Sequence, residues 1–332
     1  SMIKRQFLLN RMKLEKKFFK NILMLNKNIN KILVIKHGSL GDIVFALEAM
    51  FSIRNHFKKS NIFLLTENKF QKFFKNSNYF DGIILDNRGD LVSSLKVLKI
   101  LIKKKFDLVI DLQNSKRSNL YNFFLKYLSN SLINSNRSNA NFRYIIKPKG
   151  MEAPKTGLNN QINLIGVKSI VDDYKWLNID TGIDDYKNLV LIIPSTTISG
   201  KHKQWPYKNF IELCVRLESS GMKICIVGTK DDKEITKKIA DNCKNALDFT
   251  EKSPPAVIFS IAKNCELVLT NDTGPGHIAA LSRNKVLWLA VNNLTSKINI
   301  ENTNSNIKIL SDKIEDISVE EVFNKIKEIL HY

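Results

Sequence analysis

Residues 267–281 read LVLTNDTGPGHIAAL, and this stretch decides how the second half of the chain is interpreted. The apolar run Leu267–Thr270 predicts a buried strand, and the polar residues that follow it predict a tight turn. A helix is expected to begin at Pro275, because proline is favoured at the first helical position. Gly274 and Gly276 lack side chains where the backbone must approach another group closely. The pattern therefore predicts a strand, a turn and a helix in direct succession.

Such a corner is a candidate phosphate site. Backbone N–H groups at the helix start and the positive end of the helix dipole would point out from the carboxyl end of the strand. His277, in the first helical turn, could donate a further hydrogen bond to a phosphate oxygen. An ordinary structural corner has the same spacing, so both interpretations stay open here. Asp272-Thr273-Gly274 also occurs in aspartic proteases, but those are all-β proteins with a second copy, whereas this single copy leads into a helix.

Composition places the chain among globular proteins with two domains. It has 332 residues, of which 43% are hydrophobic and 25% charged, the usual range for soluble domains. No apolar run reaches the ~18 residues of a transmembrane helix, and the first residues lack the features of a signal peptide. The four cysteines have no metal-ligand spacing, which favours free thiols in a reducing compartment. The expected location is the cytoplasm.

The charge is divided very unevenly along the chain. Residues 1–180 carry 32 Lys and Arg against 13 Asp and Glu, a net of +19, whereas residues 181–332 carry 20 against 19. A codon bias toward lysine would raise the lysine content everywhere, yet the second half is balanced by acids. The first half is therefore expected to meet an anionic partner. Nucleic acid, a phosphorylated lipid and an acidic sugar all remain open.

Two alternating series of short apolar runs and helical stretches predict two parallel sheets with helices. Residues 31–180 are expected to form the first domain and residues 186–316 the second, joined by the polar, acidic linker Val171–Asp185. Two such units suggest a cleft between them. Residues 317–332 are expected to form a closing helix that could pack back on the first domain.

A basic extension is expected before the first domain, over residues 1–30. It mixes apolar and cationic residues without Gly or Pro, which favours one or two amphipathic helices. Such a helix could lie on an anionic membrane surface or pack on the first domain, and the sequence leaves both open.

A second strand, glycine turn and helix begins at residue 31. The strand KILVI is followed by Lys36-His37-Gly38-Ser39-Leu40-Gly41-Asp42. The two glycines do not have the spacing of a dinucleotide-binding loop, so this is not read as a cofactor site. Asp42 at the helix start could simply be a helix cap, or it could be a base if the turn faces a cleft.

Three loops that follow strands of the second domain carry candidate ligand-binding side chains. Residues 195–206, STTISGKHKQWP, combine hydroxyl groups with cations, which suits phosphate oxygens. Gly228 and Thr229 follow the next strand and could hold a ribose or a base. The corner at 271–277 is the third loop.

These motifs together resemble glycosyltransferase family 9, the lipopolysaccharide heptosyltransferases, which have the GT-B fold. The matching pieces are KHGSLGDIVFALEA, DLQNSKRS, KQWP and NDTGPGHIAAL, and they occur in the family's order over residues ~31–330. The resemblance implies two Rossmann-like domains with parallel sheets facing a central cleft. It also implies an inverting transfer of a heptose from ADP-heptose onto the acidic inner core of lipopolysaccharide.

The resemblance assigns roles to particular positions. The family's catalytic aspartate falls on Asp42, its donor-phosphate lysine on Lys203 and its hydroxyl pair on Thr196 and Thr197, although Lys201 competes with Lys203. Its nucleotide loop falls on Asp272, Thr273, Gly274 and His277, and Gly276 in the same corner is a further candidate for nucleotide binding. The candidates for binding the anionic acceptor are Lys36, Ser39, Lys116, Arg117 and Arg143.

The expected partners are a nucleotide sugar and an anionic lipopolysaccharide-core acceptor, with contact to the inner-membrane surface left open. The protein is expected to be a monomer that needs no cofactor and no essential metal, since fixed cations would neutralise the leaving diphosphate. Two alternatives stay open. One is another nucleotide-sugar enzyme of the same fold, with a different donor or acting as an epimerase. The other is a basic nucleic-acid-binding protein, although no named nucleic-acid-binding module is present.

Overall fold

The computed structural model of the chain describes residues 29–331. The extension predicted for residues 1–30 therefore falls almost wholly outside the described residues. The chain divides into two compact units. The first takes in the described residues up to Gly38, Phe45–Pro148 and Pro154–Asp172; the second takes in Ser39–Val44, Lys149–Ala153 and everything from Asp173 onward. The division at Asp172 lies within the segment that was expected to link two domains.

The first unit is built on a six-stranded parallel sheet. Its strands are β1 (Lys31–Ile35), β2 (Asn61–Thr66), β3 (Gly82–Leu85), β4 (Leu108–Asp111), β5 (Leu132–Ser135) and β6 (Phe142–Arg143). They lie in the order β3-β2-β1-β4-β5-β6, and every neighbouring pair is parallel. The apolar residues of β1 are fully buried, as expected for a strand covered on both faces.

Five helices within residues 29–331 accompany this first sheet. They are α1 (Leu40–His56), α2 (Gln71–Phe74), α3 (Leu91–Lys104), α4 (Lys116–Leu128) and α5 (Pro154–Asn163). Helices α3 and α4 pack side by side, and both contribute to one core cluster with the sheet. Each begins with a capping side chain, because Asp90 accepts the Ser93 N–H and Ser115 accepts the Ser118 N–H.

The second unit repeats the plan with a second six-stranded parallel sheet. Its strands are β7 (Leu189–Ile193), β8 (Lys223–Gly228), β9 (Leu247–Thr250), β10 (Leu267–Asn271), β11 (Val286–Val291) and β12 (Asn306–Ser311). The order is β12-β11-β10-β7-β8-β9, again parallel throughout. The chain order reverses between β10 and β7. In open α/β sheets, this reversal point at the carboxyl ends of the strands is where ligands bind.

In the part of the chain that the structure describes, six helices accompany the second sheet. They are α6 (Tyr207–Ser219), α7 (Lys233–Ala240), α8 (Pro255–Asn264), α9 (Gly274–Ala280), α10 (Leu294–Asn299) and α11 (Val319–Leu330). Val322 and Ile326 of α11 are fully buried in the core cluster of the second unit, and α11 packs on α6. The apolar stripe of this closing helix is thus covered within its own unit, and packing of the helix on the first domain stays a prediction.

The predicted fold class is confirmed: each unit is an α/β layer structure around a parallel sheet. None of the helices formed by residues 29–331 is long and apolar enough to cross a bilayer.

Candidate active site

The reversal point of the second sheet brings together two of the loops singled out from the sequence. Strands β7 and β10 are direct neighbours, with Ile193 opposite Thr270. The loop after β7 leads through Thr196 to Lys203, and the corner after β10 begins at Asp272. Because the strands are parallel and adjacent, both loops leave the sheet at the same edge.

Two buried residues hold these loops together. The Asn271 side chain accepts the Trp205 backbone N–H at 2.9 Å and donates to the Pro194 carbonyl, also at 2.9 Å. Trp205 is fully buried and donates its indole N–H to the Ile317 carbonyl at 2.8 Å. The buried indole thus anchors the chain two residues after Lys203 and limits where that lysine can reach.

Asp272 is the centre of the polar cluster at this edge. Its Oδ2 accepts from Lys203 Nζ at 2.9 Å and from Ser296 Oγ at 3.1 Å, and its Oδ1 lies 3.3 Å from His277 Nε2. Burial alone would raise the pKa of Asp272, but His277 and Lys203 outweigh it and hold that pKa well below its usual value. Asp272 is therefore a buried carboxylate that orients the Lys203 ammonium group and the His277 imidazole. Of the two candidate lysines, it is Lys203 that it holds.

The corner itself is a short helix with most of its first N–H groups already used. Thr273 caps α9 by accepting the Gly276 N–H at 3.2 Å, and Pro275 has no N–H. Fewer free N–H groups are therefore presented than the sequence suggested, so binding of an anion depends more on Lys203 and His277. The His277 ring packs 5.0 Å from the ring of Trp288, which fixes its position.

Both glycines of the corner lie at close approaches, as expected. A Cβ at Gly276 would lie 2.7 Å from Thr270 Oγ1 and 2.9 Å from Trp288 Cζ3. A Cβ at Gly274 would lie 3.0 Å from the backbone N of Gly41. The corner therefore packs directly against the segment Ser39–Val44, which belongs to the same unit.

Asp42 lies in that segment, on the first turn of α1. Helix α1 begins at Leu40, so Ser39 is the N-cap residue and Asp42 is not, which corrects the helix-cap interpretation of Asp42. The two residues form a reciprocal capping box: Asp42 Oδ2 accepts from the Ser39 N–H and Oγ–H, both at 2.8 Å, and the Asp42 N–H donates to Ser39 Oγ at 3.3 Å. Asp42 is exposed, and its Oδ1 has no hydrogen-bond partner among residues 29–331.

The remaining donor candidates have mainly local contacts. Thr196 lies in the same loop as Lys203, where its hydroxyl is 3.3 Å from the Thr197 carbonyl. Thr229 forms a capping box with Asp232. A Cβ at Gly228 would collide with Thr236 at 2.8 Å. Gly228 and Thr229 thus have clear structural reasons to be where they are, and their contact with a ribose or base stays a prediction.

In the first unit, Arg117 forms an ion pair with the buried carboxylate of Asp86. Its Nε and Nη2 donate to the two oxygens of Asp86 at 2.9 and 2.7 Å, and its Nη1 donates to the Gly89 carbonyl. Despite burial, which would raise it, the pKa of Asp86 is lowered by these bonds. Arg117 was predicted to bind the acceptor, but its charge is neutralised within the fold. Sequence reasoning missed Asp86 because nothing in the sequence marks it as paired.

The other acceptor candidates differ in exposure. Lys36 is buried, with Nζ 3.4 Å from the Leu112 carbonyl, and Ser39 is engaged by Asp42. Lys116 and Arg143 are exposed. Of these candidates, Lys116 and Arg143 present an accessible charge, whereas Lys36 and Ser39 help to build the turn before α1.

His37 is a further residue that the sequence did not single out. It is buried beside Asp86, with 3.6 Å between His37 Nε2 and Asp86 Oδ2, and this nitrogen has no hydrogen-bond partner in the part of the chain that the structure describes. Burial lowers the pKa of His37 to about 4, although Asp86 and Glu67 act to raise it. The imidazole is therefore neutral near pH 7.

No group of three or more His, Cys, Asp or Glu side chains within residues 29–331 is placed to hold a metal ion.

Residues 168–322 match the family model of glycosyltransferase family 9 (heptosyltransferase). The match includes the corner at 267–281 and the loop that carries Lys203. The second half of the chain is thus a glycosyltransferase family 9 domain. This confirms the resemblance seen in the sequence, and it confirms that the protein is a glycosyltransferase. No curated protein sequence matches the chain.

Solved structures share the fold over nearly the whole chain. The glycosyl transferase family 9 protein of Veillonella parvula has a TM-score of 0.73 at 16% identity, covering 91% of this chain and 97% of that one. E. coli ADP-heptose lps heptosyltransferase II has a TM-score of 0.70 at 16% identity, covering 91% of this chain and 98% of that one. E. coli heptosyltransferase WaaC, solved with ADP-2-deoxy-2-fluoro heptose, has a TM-score of 0.71 at 16% identity, covering 90% of this chain and 99% of that one. At this identity the likeness establishes the fold.

Proposed function

We propose that this glycosyltransferase transfers a heptose from ADP-heptose to an anionic acceptor of the lipopolysaccharide inner core, with inversion at the anomeric carbon. The observation that carries the proposal is the cluster of Lys203, His277 and Asp272 at the reversal point of the second sheet, within the region that matches the family. The neighbours named above as heptosyltransferases support the choice of sugar and nucleotide.

Asp42 is the proposed base. Its Oδ1 would take the proton of the acceptor hydroxyl while that oxygen bonds to the anomeric carbon and the bond from this carbon to the diphosphate breaks. The capping box with Ser39 fixes the carboxylate through Oδ2 and leaves Oδ1 for the proton. The close contact between Gly41 and Gly274 keeps the turn of Asp42 beside the nucleotide corner.

Lys203 and His277 would stabilise the leaving diphosphate. Negative charge builds on the diphosphate as the sugar departs, and a prepositioned cation and a prepositioned hydrogen-bond donor reduce the cost of that charge. Asp272 holds both groups in place before the donor arrives, so little reorganisation is needed. We propose that these fixed groups act without a cofactor or an essential metal.

The acceptor would be bound mainly by exposed cations of the first half, with Lys116 and Arg143 as the accessible candidates. An inner-core acceptor is anionic, which fits the net charge of +19 over residues 1–180. We propose that the working protein is a monomer.

The test is a transfer assay with ADP-heptose and purified inner-core acceptor, followed by mass spectrometry of the acceptor and measurement of released ADP. We expect a heptose mass increment that depends on the acceptor, and stoichiometric ADP. Sugar conversion without an acceptor would favour an epimerase, and transfer from UDP-sugars alone would change the donor. Filter binding with tRNA and duplex DNA addresses the nucleic-acid alternative, which requires tight binding at physiological salt.

A further inference from the structure

Helices α3 and α4 of the first unit expose an unusual amount of apolar surface. On α3, Leu95 is 53% exposed; on α4, Leu120, Phe123 and Tyr127 are 42%, 46% and 59% exposed. The three α4 residues recur at helical spacing and so lie on one side of the helix. Phe123 and Tyr127 also pack on each other, with 4.8 Å between their ring centroids. This is an ordered apolar stripe.

The same two helices carry only positive charge. The sequences LVSSLKVLKILIKK and KRSNLYNFFLKYL contain no Asp or Glu. The exposed cations are Lys96, Lys99, Lys103 and Lys116, and none of them has an acidic partner within residues 29–331. Exposed helices of ordinary domains mix both signs of charge, as α11 does with Glu320, Glu321 and Lys325.

The two exposed sides form one surface. Helices α3 and α4 pack side by side and bury their other sides, including Leu98 and Leu125, in one core cluster. Helix α3 connects β3 to β4 and helix α4 connects β4 to β5, and these strands all run parallel in one sheet. The two helices therefore run in the same direction and their outward sides face the same way. We call the outward residues Leu95, Lys99, Lys103, Leu120, Phe123 and Tyr127 the α3–α4 face.

We propose that the α3–α4 face docks the enzyme on an anionic phospholipid surface. Aromatic and aliphatic side chains flanked by lysines are the pattern of helices that lie in the interfacial region of a bilayer. The apolar groups enter the headgroup boundary while the lysine ammonium groups reach lipid phosphates. Charge complementarity selects this occupant: a soluble protein partner would require matching acids along two acid-free helices, whereas an anionic leaflet supplies them uniformly.

The docking surface goes beyond the proposed function, because it can be measured with no sugar nucleotide present. Full-length protein is sedimented with phosphatidylcholine vesicles that do or do not contain phosphatidylglycerol. We expect partitioning only onto the anionic vesicles. Phe123→Ser should weaken it about tenfold, since part of an aromatic side chain's burial is lost. Lys99→Glu with Lys103→Glu should weaken it more than about tenfold.

Matched controls lie on the second unit. Val215→Ser removes a side chain that is 41% exposed on α6, and Lys237→Glu with Lys244→Glu reverses two exposed charges. These variants should partition as the wild type does. Circular dichroism confirms that each variant is folded, and all the substituted positions are exposed.

A fluorescent variant separates this face from other occupants. Tyr127→Trp should shift its emission to the blue on anionic vesicles and be quenched by brominated lipid. Binding without quenching would show that another part of the chain, such as residues 1–28, carries the membrane contact, and would overturn the proposal. Concentration-dependent dimers that Phe123→Ser abolishes would overturn it too, because the face would then bind a second copy.

Discussion

The two units of the protein place positive charge differently. In the second unit two prominent cations are paired, Lys203 with the buried Asp272 and, on the surface, Arg216 with Glu320. In the first unit the helices α3 and α4 present lysines with no acid on either helix. The best-defined candidate anion site thus lies in the half whose charges nearly cancel. Net charge indicates a diffuse anionic partner, whereas a nucleotide site depends on a few cations held in place.

The largest expected effect is that of Asp42→Asn. It tests whether the carboxylate beside the corner of the second unit acts as the base or only completes the capping box. Asn keeps an oxygen for the Ser39 N–H and so preserves the capping box, but it cannot accept the acceptor proton. Sugar transfer should fall ~10²–10⁴-fold in a steady-state assay, while the melting temperature stays close to that of the wild type. Asp90→Asn, at the cap of α3, is the control and should remain active. Near-normal turnover by Asp42→Asn would place the base elsewhere.

The next largest effect is expected on the pH dependence of stability, and it comes from His37, which is buried in the first unit. Its pKa is lowered to about 4 in the folded protein, so the unfolded chain takes up the proton first as the pH falls below about 6.5. The contribution of His37 to the free energy of unfolding is therefore fully present above pH 6.5. It falls progressively toward pH 4, by at most about 3 kcal/mol. When the free energy of unfolding is measured with urea between pH 6.5 and 4, His37→Gln should lose less stability than the wild type.

The exposed His202 provides the control for that titration, as His202→Gln. If His37→Gln and the wild type lose stability in parallel between pH 6.5 and 4, then His37 is not the group that titrates there.

Lys203→Met is expected to have the next largest effect. Comparison with Lys201→Met distinguishes a lysine held by the buried Asp272 from an exposed lysine in the same loop. Losing a charge-assisted hydrogen bond to the diphosphate should lower kcat/KM for the donor about 10–100-fold. Lys201→Met removes an exposed lysine two residues away and should have little effect. Equal losses in the two variants would mean that the loop contributes general charge, and the contrast between the two units would then fail at this point.

The smallest effect is expected from a pair of glycine substitutions. In Gly274→Ala the new Cβ would lie 3.0 Å from Gly41 N and from Leu40 Cβ, whereas in Gly41→Ala the nearest atom is 3.7 Å away, on His277. Gly274→Ala should displace the turn of Asp42 and lower transfer up to about tenfold, while Gly41→Ala is tolerated. Donor kinetics of the two variants check this, and equal tolerance would mean that the contact is loose.

Much of the fold could be predicted from the sequence because buried parallel strands are continuous apolar runs. β1 and β10 were expected within one residue of their observed ends. β5, β6 and β9 were not predicted: LINS and LDFT mix apolar and polar residues, and Phe142–Arg143 is only two residues long. Such strands at and near sheet edges are defined by pairing with their neighbours, which no local pattern records.

The site residues divide in the same way. Lys203, Asp272 and His277 lie in motifs, and the structure brings all three together. Of the partners that explain their positions, Asn271 lies in the same motif, but its role depends on a long-range contact with Trp205, and Ser296 lies outside the motifs. Arg117 shows the same limit of local motifs, because its pairing lies with a carboxylate 31 residues away. Its contact with an acceptor stays a prediction.

The central claim is that the corner at 267–281 binds the donor nucleotide, and calorimetric titration of ADP into the wild type and His277→Ala tests it most directly. His277 is held by Asp272 and Trp288 at the position proposed for the diphosphate. We predict that the wild type binds ADP more tightly than UDP, and that His277→Ala binds ADP about tenfold more weakly while remaining folded. Unchanged ADP affinity in His277→Ala, or no ADP binding by the wild type, would contradict the claim.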